Sequence, residues 1–447
     1  MSLKRYVKIV SLVFTIILLS SSVKSQIADS PDDSVAGIPV NYTESRSGNY
    51  TLPDPLKFAN GDPVSDAETW YQKRRPEIIR LFEENQFGRS PGRPNDMNFD
   101  VFDKGTIAFD GKAIRKQVNR YLLKAIRKQV TIYFSKDKSG PKMDLLIYLP
   151  EGINKPVPLL LKASFTANSL IVDDPGVKEG EIWNRDKQKV SARKGFRFGG
   201  LNVLPALEKG FGIATVYYGD IDPDFQGGVQ YGVRKLYLRP GQTKPASDEW
   251  GSIAAWGWGL SRAMDYFETD EKIDAKRIAL MGISRLGKTV LWAGARDTRF
   301  AMVIASCSGE GGAALSRRNY GETIKHLTAP SRYPYQFCAN YQKYGDHVDR
   351  FPVDAHMLLA LIAPRPVLLQ TGNQDKWSDP KGEFLAAVAA GPVYRLLGKQ
   401  GLGTNQMSPA GQAILHTIGY YMHADGHGTR PSDWDVFLKF MQIHLRS

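Results

Sequence analysis

The sequence predicts an α/β fold in which a mostly parallel central sheet carries helices on both faces, a three-layer sandwich. Three observations carry that reading. From residue 142 onward, short apolar runs alternate with helical segments, the pattern of a largely parallel sheet. The strand candidates form one continuous series with no linker between halves, which favours one large domain over two. The 447 residues are 42% hydrophobic, 23% charged and 11% aromatic, enough to build a large core and to exclude a disordered or low-complexity scaffold.

Taken in order, residues 1–25 open with Lys4, Arg5 and Lys8, run apolar from Ile9 to Leu19, and close on Val23-Lys24-Ser25 before Gln26. This is the pattern of a secretory signal peptide, and the apolar run is short for a membrane span. No cysteine follows it, which argues against a lipid anchor. The expected mature protein is therefore secreted, to the periplasm or beyond the cell, with no membrane attachment. Its loss lowers the formal net charge from +13 to about +9, because the segment holds four basic and no acidic residues. That surplus reads as a scattered basic surface. No zinc-knuckle spacing, RNP-like motif or basic arm points to nucleic acid. Two cysteines, Cys307 and Cys338, cannot form a disulfide scaffold; one bridge or two buried thiols are both open.

Residues 26–66, rich in Pro, Ser, Asp and Gly, read as an irregular N-terminal arm, and 67–447 as the single catalytic-size domain. A helical pattern spans Trp70–Phe87, with Pro76 placed in a first turn. The heptapeptide KAIRKQV occurs at Lys112–Val118 and again at Lys124–Val130, a local duplication expected to form an exposed excursion beside a strand at Val130–Phe134. Strands are expected at Asp144–Leu149, Pro158–Ala163, Gly212–Tyr217, Arg277–Met281, Met302–Ser306, Pro366–Thr371 and Ile418–His423. Helices are expected at Ser252–Phe267, after Ser284, and at Asp354–Ile362, Gly382–Val388 and Ser432–Leu445.

The chemistry concentrates where Arg277–Met281 runs into Gly282-Ile283-Ser284-Arg285-Leu286-Gly287-Lys288 and then a helical stretch. Strand, tight turn with Ser at its apex, then helix is the context of a nucleophile elbow. The turn exposes the Ser hydroxyl above the sheet edge. It also sets the helix N-terminus, with the Arg285 backbone N–H, where an oxyanion would develop. The match to G-x-S-x-G is imperfect, since Leu286 holds the second glycine's place and Gly287 follows one later. A Ser nucleophile needs a base and a group to orient it. Of seven histidines, His427, in the loop between the last strand and the last helix, is the leading base, with His423 as its rival. His356 reads as a core residue, His326, His347 and His416 as loop residues, and His444 as part of the terminal helix. The strand PVLLQTGNQD delivers Asp375 to the same sheet edge as the acid, while Asp379, before Pro380, could equally serve a turn. No third ligand accompanies His423 and His427, so a zinc site is not expected.

Together these motifs resemble carbohydrate esterase family 15, the glucuronoyl esterases, whose serine motif is G-x-S-R-x-G-K; GISRLGK matches it. WAGARDTRF, SGEGGAALSRRNYGET, FPVDAHMLLALIAPRP, DKWSDPKGEFLAAVAAGPVYRLLG and the closing GH with DWDVFLKF resemble the bacterial branch, over most of 69–447. The resemblance implies an α/β-hydrolase fold and hydrolysis of the ester between 4-O-methyl-glucuronic acid on xylan and lignin alcohols. It makes Ser284 the nucleophile, His427 the base, and Arg285 an oxyanion stabiliser through backbone N–H and guanidinium. Lys288 and Glu322 would bind sugar hydroxyls and Trp377 would pack on the glucuronate. Each has a plainer reading: Lys288 as a solvated helix residue, Glu322 as a partner of Arg317 or Arg318, Trp377 as packing.

One departure stands out. Many members of the family place a catalytic Glu just before S-G-x-G-G, where this chain has Cys307 in SCSGEGG, and Glu310 lies inside the glycine-rich turn. Asp375 is then left to act alone as the acid. The fungal pattern also has Cys where this chain has Ile283, so the bridge beside the catalytic His is absent. The expected mechanism is two-step acyl transfer, with neither metal nor cofactor, in a monomer whose partner is glucuronoxylan or a lignin–carbohydrate ester. Another secreted serine hydrolase, such as an acetyl-xylan esterase or a peptidase, and a catalytically silent carbohydrate-binding relative are the alternatives.

Overall fold

The computed structural model describes residues 27–111, 114–115, 122–152, 154–192 and 200–445. The signal-peptide reading of 1–25 therefore lies outside the described residues.

A ten-stranded mixed sheet organises the chain. Its strands are β1 (Asn98–Ile107), β2 (Ala125–Tyr133), β3 (Lys142–Pro150), β4 (Val157–Ser164), β5 (Gly212–Tyr217), β6 (Ile273–Ile283), β7 (Met302–Ser306), β8 (Val367–Gly372), β9 (Ile414–Leu415) and β10 (Ile418–His423). Across the sheet the order is β9-β10-β8-β7-β6-β4-β5-β3-β2-β1. The six strands from β10 to β5 run parallel, whereas β3, β2 and β1 form an antiparallel extension at one end. Apolar residues alternate between the two faces with the period of a strand. Leu159, Leu161, Ile278 and Leu280 enter one core; Leu160, Ala279 and Met281 enter the other. The first core is covered by helices α1 (Ser252–Phe267), α2 (Arg285–Arg296) and α3 (Pro380–Leu396), the second by α4 (Asp433–Leu445). This is the three-layer α/β arrangement expected from the sequence.

The parallel strands lie within a residue or two of expectation at most ends, because continuous apolar runs mark strands buried on both faces. The antiparallel extension was less legible. β1 carries Asp100, Asp103 and Lys104 and two register irregularities, so its pattern is broken. The second KAIRKQV copy is not an exposed excursion. Its residues from Ala125 onward enter β2, where Ile126 pairs with Leu149 and Val130 with Leu145. Within the first copy, Ile114–Arg115 pairs antiparallel with Leu122–Leu123, and the rest lies outside the described residues. Asp66 caps a helical run over 67–87, its side chain accepting from Thr69 N, somewhat before the expected start.

The arm over 27–66 contains one short hairpin, Asp33–Val35 with Ile38–Val40, a single 3₁₀ turn at Glu44–Arg46 and an isolated antiparallel bridge between Lys57 and Pro63. It docks through specific bonds: Asn41 O accepts from Gly321 N at 2.9 Å and Ser47 O from Asn319 N at 3.0 Å. Glu44 pairs with Arg318 and Lys381. Among the described residues, no helix is long and apolar enough to cross a membrane.

Candidate active site

The carboxyl ends of β6, β7, β8 and β10 meet at one sheet edge, where open α/β sheets bind their ligands. β6 ends in register with β7 at Ile283 and Ser306, and β8 with β10 at Gly372 and His423. The loops that follow carry Ser284, Cys307, Asp375 and His427.

Ser284 sits between β6 and α2 with φ 58° and ψ −126°. A non-glycine residue held there costs about 1–3 kcal/mol, so the surroundings must enforce it. They do so through Ser284 N, which donates to Ser306 O at 2.8 Å, and through Ser284 O, which accepts from Lys288 N at 3.1 Å. The displaced glycine of the motif has a steric reason. A Cβ on Gly282 would meet Leu286 O at 2.1 Å, and one on Gly287 would crowd Ser306 O and Ser308 Cβ at 3.0 Å. Strand β6 needs glycine where α2 folds back over it, and α2 needs glycine where it crosses the end of β7, one residue beyond the usual spacing.

Asp375 Oδ2 accepts from His427 Nδ1 at 2.7 Å. The Asp375 side chain is 4% exposed and that of His427 45%, so the carboxylate end of the pair is buried and the imidazole end open. Burial alone would raise the Asp375 carboxyl. Hydrogen bonds from His427, Ser378 and Cys307, with the nearby imidazole, outweigh it and hold the group below the ordinary carboxylate range. An ionised carboxylate only accepts, so His427 Nδ1 is the donor in this contact and Nε2 is the ring nitrogen left free of the carboxylate. His423 is used differently. It is buried, its Nδ1 paired with Asp433 Oδ2 at 2.9 Å and its Nε2 with Gly426 O at 2.8 Å, which ties the loop to the start of α4. Asp379 caps α3, accepting from Gly382 N at 3.0 Å, and pairs with Arg318.

Ser284, Arg285, Lys288, Cys307, Glu322, Arg332, Tyr333, Asp375, Trp377 and His427 all line one cavity of about 260 Å³. Size does not select it. A recess of about 420 Å³ elsewhere is lined by Arg93, Arg262 and Arg299 among others, but by no histidine, and Asp265 pairs with all three of those arginines. The smaller cavity is where a hydroxyl, an imidazole and a carboxylate converge.

Its walls are charged and coupled. The Arg285 guanidinium pairs with Asp224 and lies 4.7 Å from the Tyr333 ring centroid. Asp224 in turn accepts from Tyr218 and Tyr335 hydroxyls at 3.0 Å and from Gln336 Nε2 at 2.7 Å. Lys288 is buried rather than solvated: Nζ donates to Ser308 O at 2.7 Å and stands 3.7 Å from Glu322 Oε2. Burial pulls its ammonium below the ordinary pKa, an effect that Glu322 partly offsets. Glu322 also accepts from Arg332 Nη2 at 3.0 Å, whose guanidinium lies 5.2 Å from the Trp377 ring centroid. Arg317 and Arg318 are occupied with Asp354 and Asp379 instead. Glu322 N donates to Trp377 O at 2.8 Å, and Trp377 packs edge-on against His326. His326 is fully buried in a short helix, not in a polar loop.

Cys307 and Cys338 are free and buried, so the bridge is not formed. Cys307 Sγ accepts from Gly428 N at 3.4 Å, and burial raises its thiol well above the ordinary value. Glu310 is fully enclosed, accepting from Ser316 Oγ at 2.7 Å and Tyr341 OH at 2.8 Å, and does not line the cavity. Asp224, Arg332 and Tyr333 went unread in the sequence. They reach the site from loops far along the chain from Ser284 or Asp375 and carry no motif of their own.

The family model "Glucuronyl esterase, fungi" matches residues 243–398. A carbohydrate esterase, MZ0003, from an unknown prokaryotic organism is 43% identical over 425 residues, 93% of this chain and 95% of that one. A glucuronoyl esterase structure from Solibacter usitatus superposes with a TM-score of 0.83 at 44% identity, covering 90% of this chain and 100% of its own. The 4-O-methyl-glucuronoyl methylesterase of Schizophyllum commune is 27% identical over 80% of this chain and 76% of that protein.

Proposed function

The chain belongs to the glucuronoyl esterases of carbohydrate esterase family 15, carboxylic ester hydrolases, and from that premise we propose that it cleaves esters of 4-O-methyl-glucuronic acid on glucuronoxylan with lignin alcohols. Ser284 is the nucleophile, His427 the general base and Asp375 the acid that orients it. His427 Nε2 takes the Ser284 proton as Oγ attacks the C6 carbonyl. The Arg285 backbone N–H and guanidinium meet the developing oxyanion. His427 then protonates the leaving alcohol, and water releases the glucuronoyl group by the same steps in reverse. Lys288 and Glu322 hold sugar hydroxyls, Trp377 packs on the ring, and no metal or cofactor enters. Residues 1–25 act as a secretory signal, which delivers a monomer to its polymer substrate.

The observation that carries this reading is the 2.7 Å Asp375–His427 bond at the mouth of the cavity that the strained Ser284 also lines. A silent binding relative would have no use for a strained serine and an oriented imidazole lining one cavity. The test is release of glucuronic acid from benzyl and methyl glucuronate by mature protein. Ser284→Ala should cut turnover by about 10⁴-fold or more. An enzyme active on acetylated xylan but on neither glucuronate ester would overturn the substrate assignment.

A further inference from the structure

We propose that Cys307, Asp375 and His427 form a binding site for a thiophilic divalent cation, Zn²⁺ or Cd²⁺, and that its occupation switches the esterase off. One ligand atom from each lies within 4.8 Å of the other two, and all three residues line the open cavity, so an ion arrives from solvent without unfolding. Thiolate, imidazole and carboxylate are the ligands zinc takes, and three protein ligands leave one position for water.

The fit needs small movements. With zinc bonds of about 2.0–2.3 Å, tetrahedral ligands stand about 3.3–3.6 Å apart. The His427 Nδ1 to Asp375 Oδ2 contact of 2.7 Å must open slightly and the widest separation must close. His427 follows Gly426 and precedes Gly428, which has φ 100°, and its side chain is half exposed, so it is free to shift. In the structure the His427 Nδ1 proton points at Asp375 Oδ2, and the Cys307 thiol lies 3.6 Å from Gly428 O, so each group has a proton the cation must displace. The thiol proton leaves to solvent as the metal–sulfur bond forms. The imidazole proton moves from Nδ1 to Nε2 by exchange with water as Nδ1 binds the metal. Nε2 then carries a hydrogen and cannot accept the Ser284 proton. A carboxylate at position 307 would hold zinc less selectively; the thiol makes this chain sensitive to soft ions.

Chelator-treated mature protein tests this. Micromolar Zn²⁺ should lower the rate on benzyl glucuronate at least about tenfold, with full recovery on adding EDTA. One equivalent of Cd²⁺ should produce a thiolate-to-cadmium charge-transfer band that survives in Cys338→Ser and vanishes in Cys307→Ser. Because the chain has two cysteines, Cys338→Ser alone assigns the band to Cys307 even if Cys307→Ser does not fold. An active enzyme with neither zinc inhibition nor the band would overturn the proposal, as would zinc inhibition equally strong in Cys307→Ala. Inhibition rests on His427 being the base, but the band does not. A band on a protein without esterase activity would therefore sink the proposed function and leave the metal site standing.

Discussion

His423, the last residue of β10, and His427, in the loop that follows, stand four residues apart, and their hydrogen bonds give them opposite uses. Both nitrogens of His423 are consumed by Asp433 and Gly426, which makes it a tie between loop and helix. His427 has one nitrogen on a buried carboxylate and the rest of its ring open to the cavity. In the sequence the two are told apart only by position, after the strand rather than at its end. Asp224 is a residue the sequence hides altogether. It gathers Arg285, Tyr218, Tyr335 and Gln336 into one cluster, so it is a positioning residue for the Arg285 guanidinium. Asp224→Asn keeps the shape but removes the charge, and should lower kcat by about tenfold with KM little changed, since in the proposed mechanism Arg285 acts on the transition state. Steady-state kinetics on benzyl glucuronate checks this; a rise in KM alone would mean that Arg285 serves binding only.

Among the elements, the six parallel strands were legible because burial on both faces leaves uninterrupted apolar runs, as in Leu159–Leu161 and Val303–Ala305. Strand β1 and residues 125–129 of β2 were not, whereas 130–133 read as strand, because an end of the sheet tolerates charge: Arg127 in β2 is paired with Asp103 and Asp174 rather than apolar. The N-terminal arm had no periodic signal, yet it fixes the turn that holds Trp377. Glu44 pairs with Arg318, Arg318 with Asp379, and Asp379 caps α3 immediately after the Asp375–Ser378 turn. The Arg318 and Asp379 side chains are 2% and 3% exposed. Burial, the largest influence on Asp379, lifts it to about 6 even beside Arg318, so at neutral pH it remains a charge that needs its partner. Arg318→Met should therefore cost about 3–5 kcal/mol of stability, as when one member of a buried ion pair is removed. Denaturant unfolding measures it, and a loss below about 1 kcal/mol would show that the arm does not stabilise this turn through that pair.

For the whole molecule, the two cores on either face of the sheet leave several carboxyls fully enclosed. Glu310 and Glu383 are each raised to about 8, burial being the largest cause. Between the ordinary glutamate value near 4.5 and about 8, the native state holds protons that the unfolded chain has lost, so this contribution to stability falls as pH rises through that window. Replacing both by Gln removes it. The melting temperature of the double variant relative to the unaltered protein should rise from pH about 5.5 to about 8.5, and a constant difference would contradict the assignment. These groups lie behind the site; Glu383 holds Gly309 N at 2.7 Å in the turn that follows Cys307. The proposed mechanism makes Asp375 the sole acid, with Cys307 beside it unable to substitute. The most direct measurement is kcat of Asp375→Asn on benzyl glucuronate, with the fold confirmed by circular dichroism. We expect a fall of about 10³–10⁴-fold. A folded variant that keeps kcat within a few-fold of the unaltered enzyme would contradict that role for Asp375 and place the orienting group elsewhere.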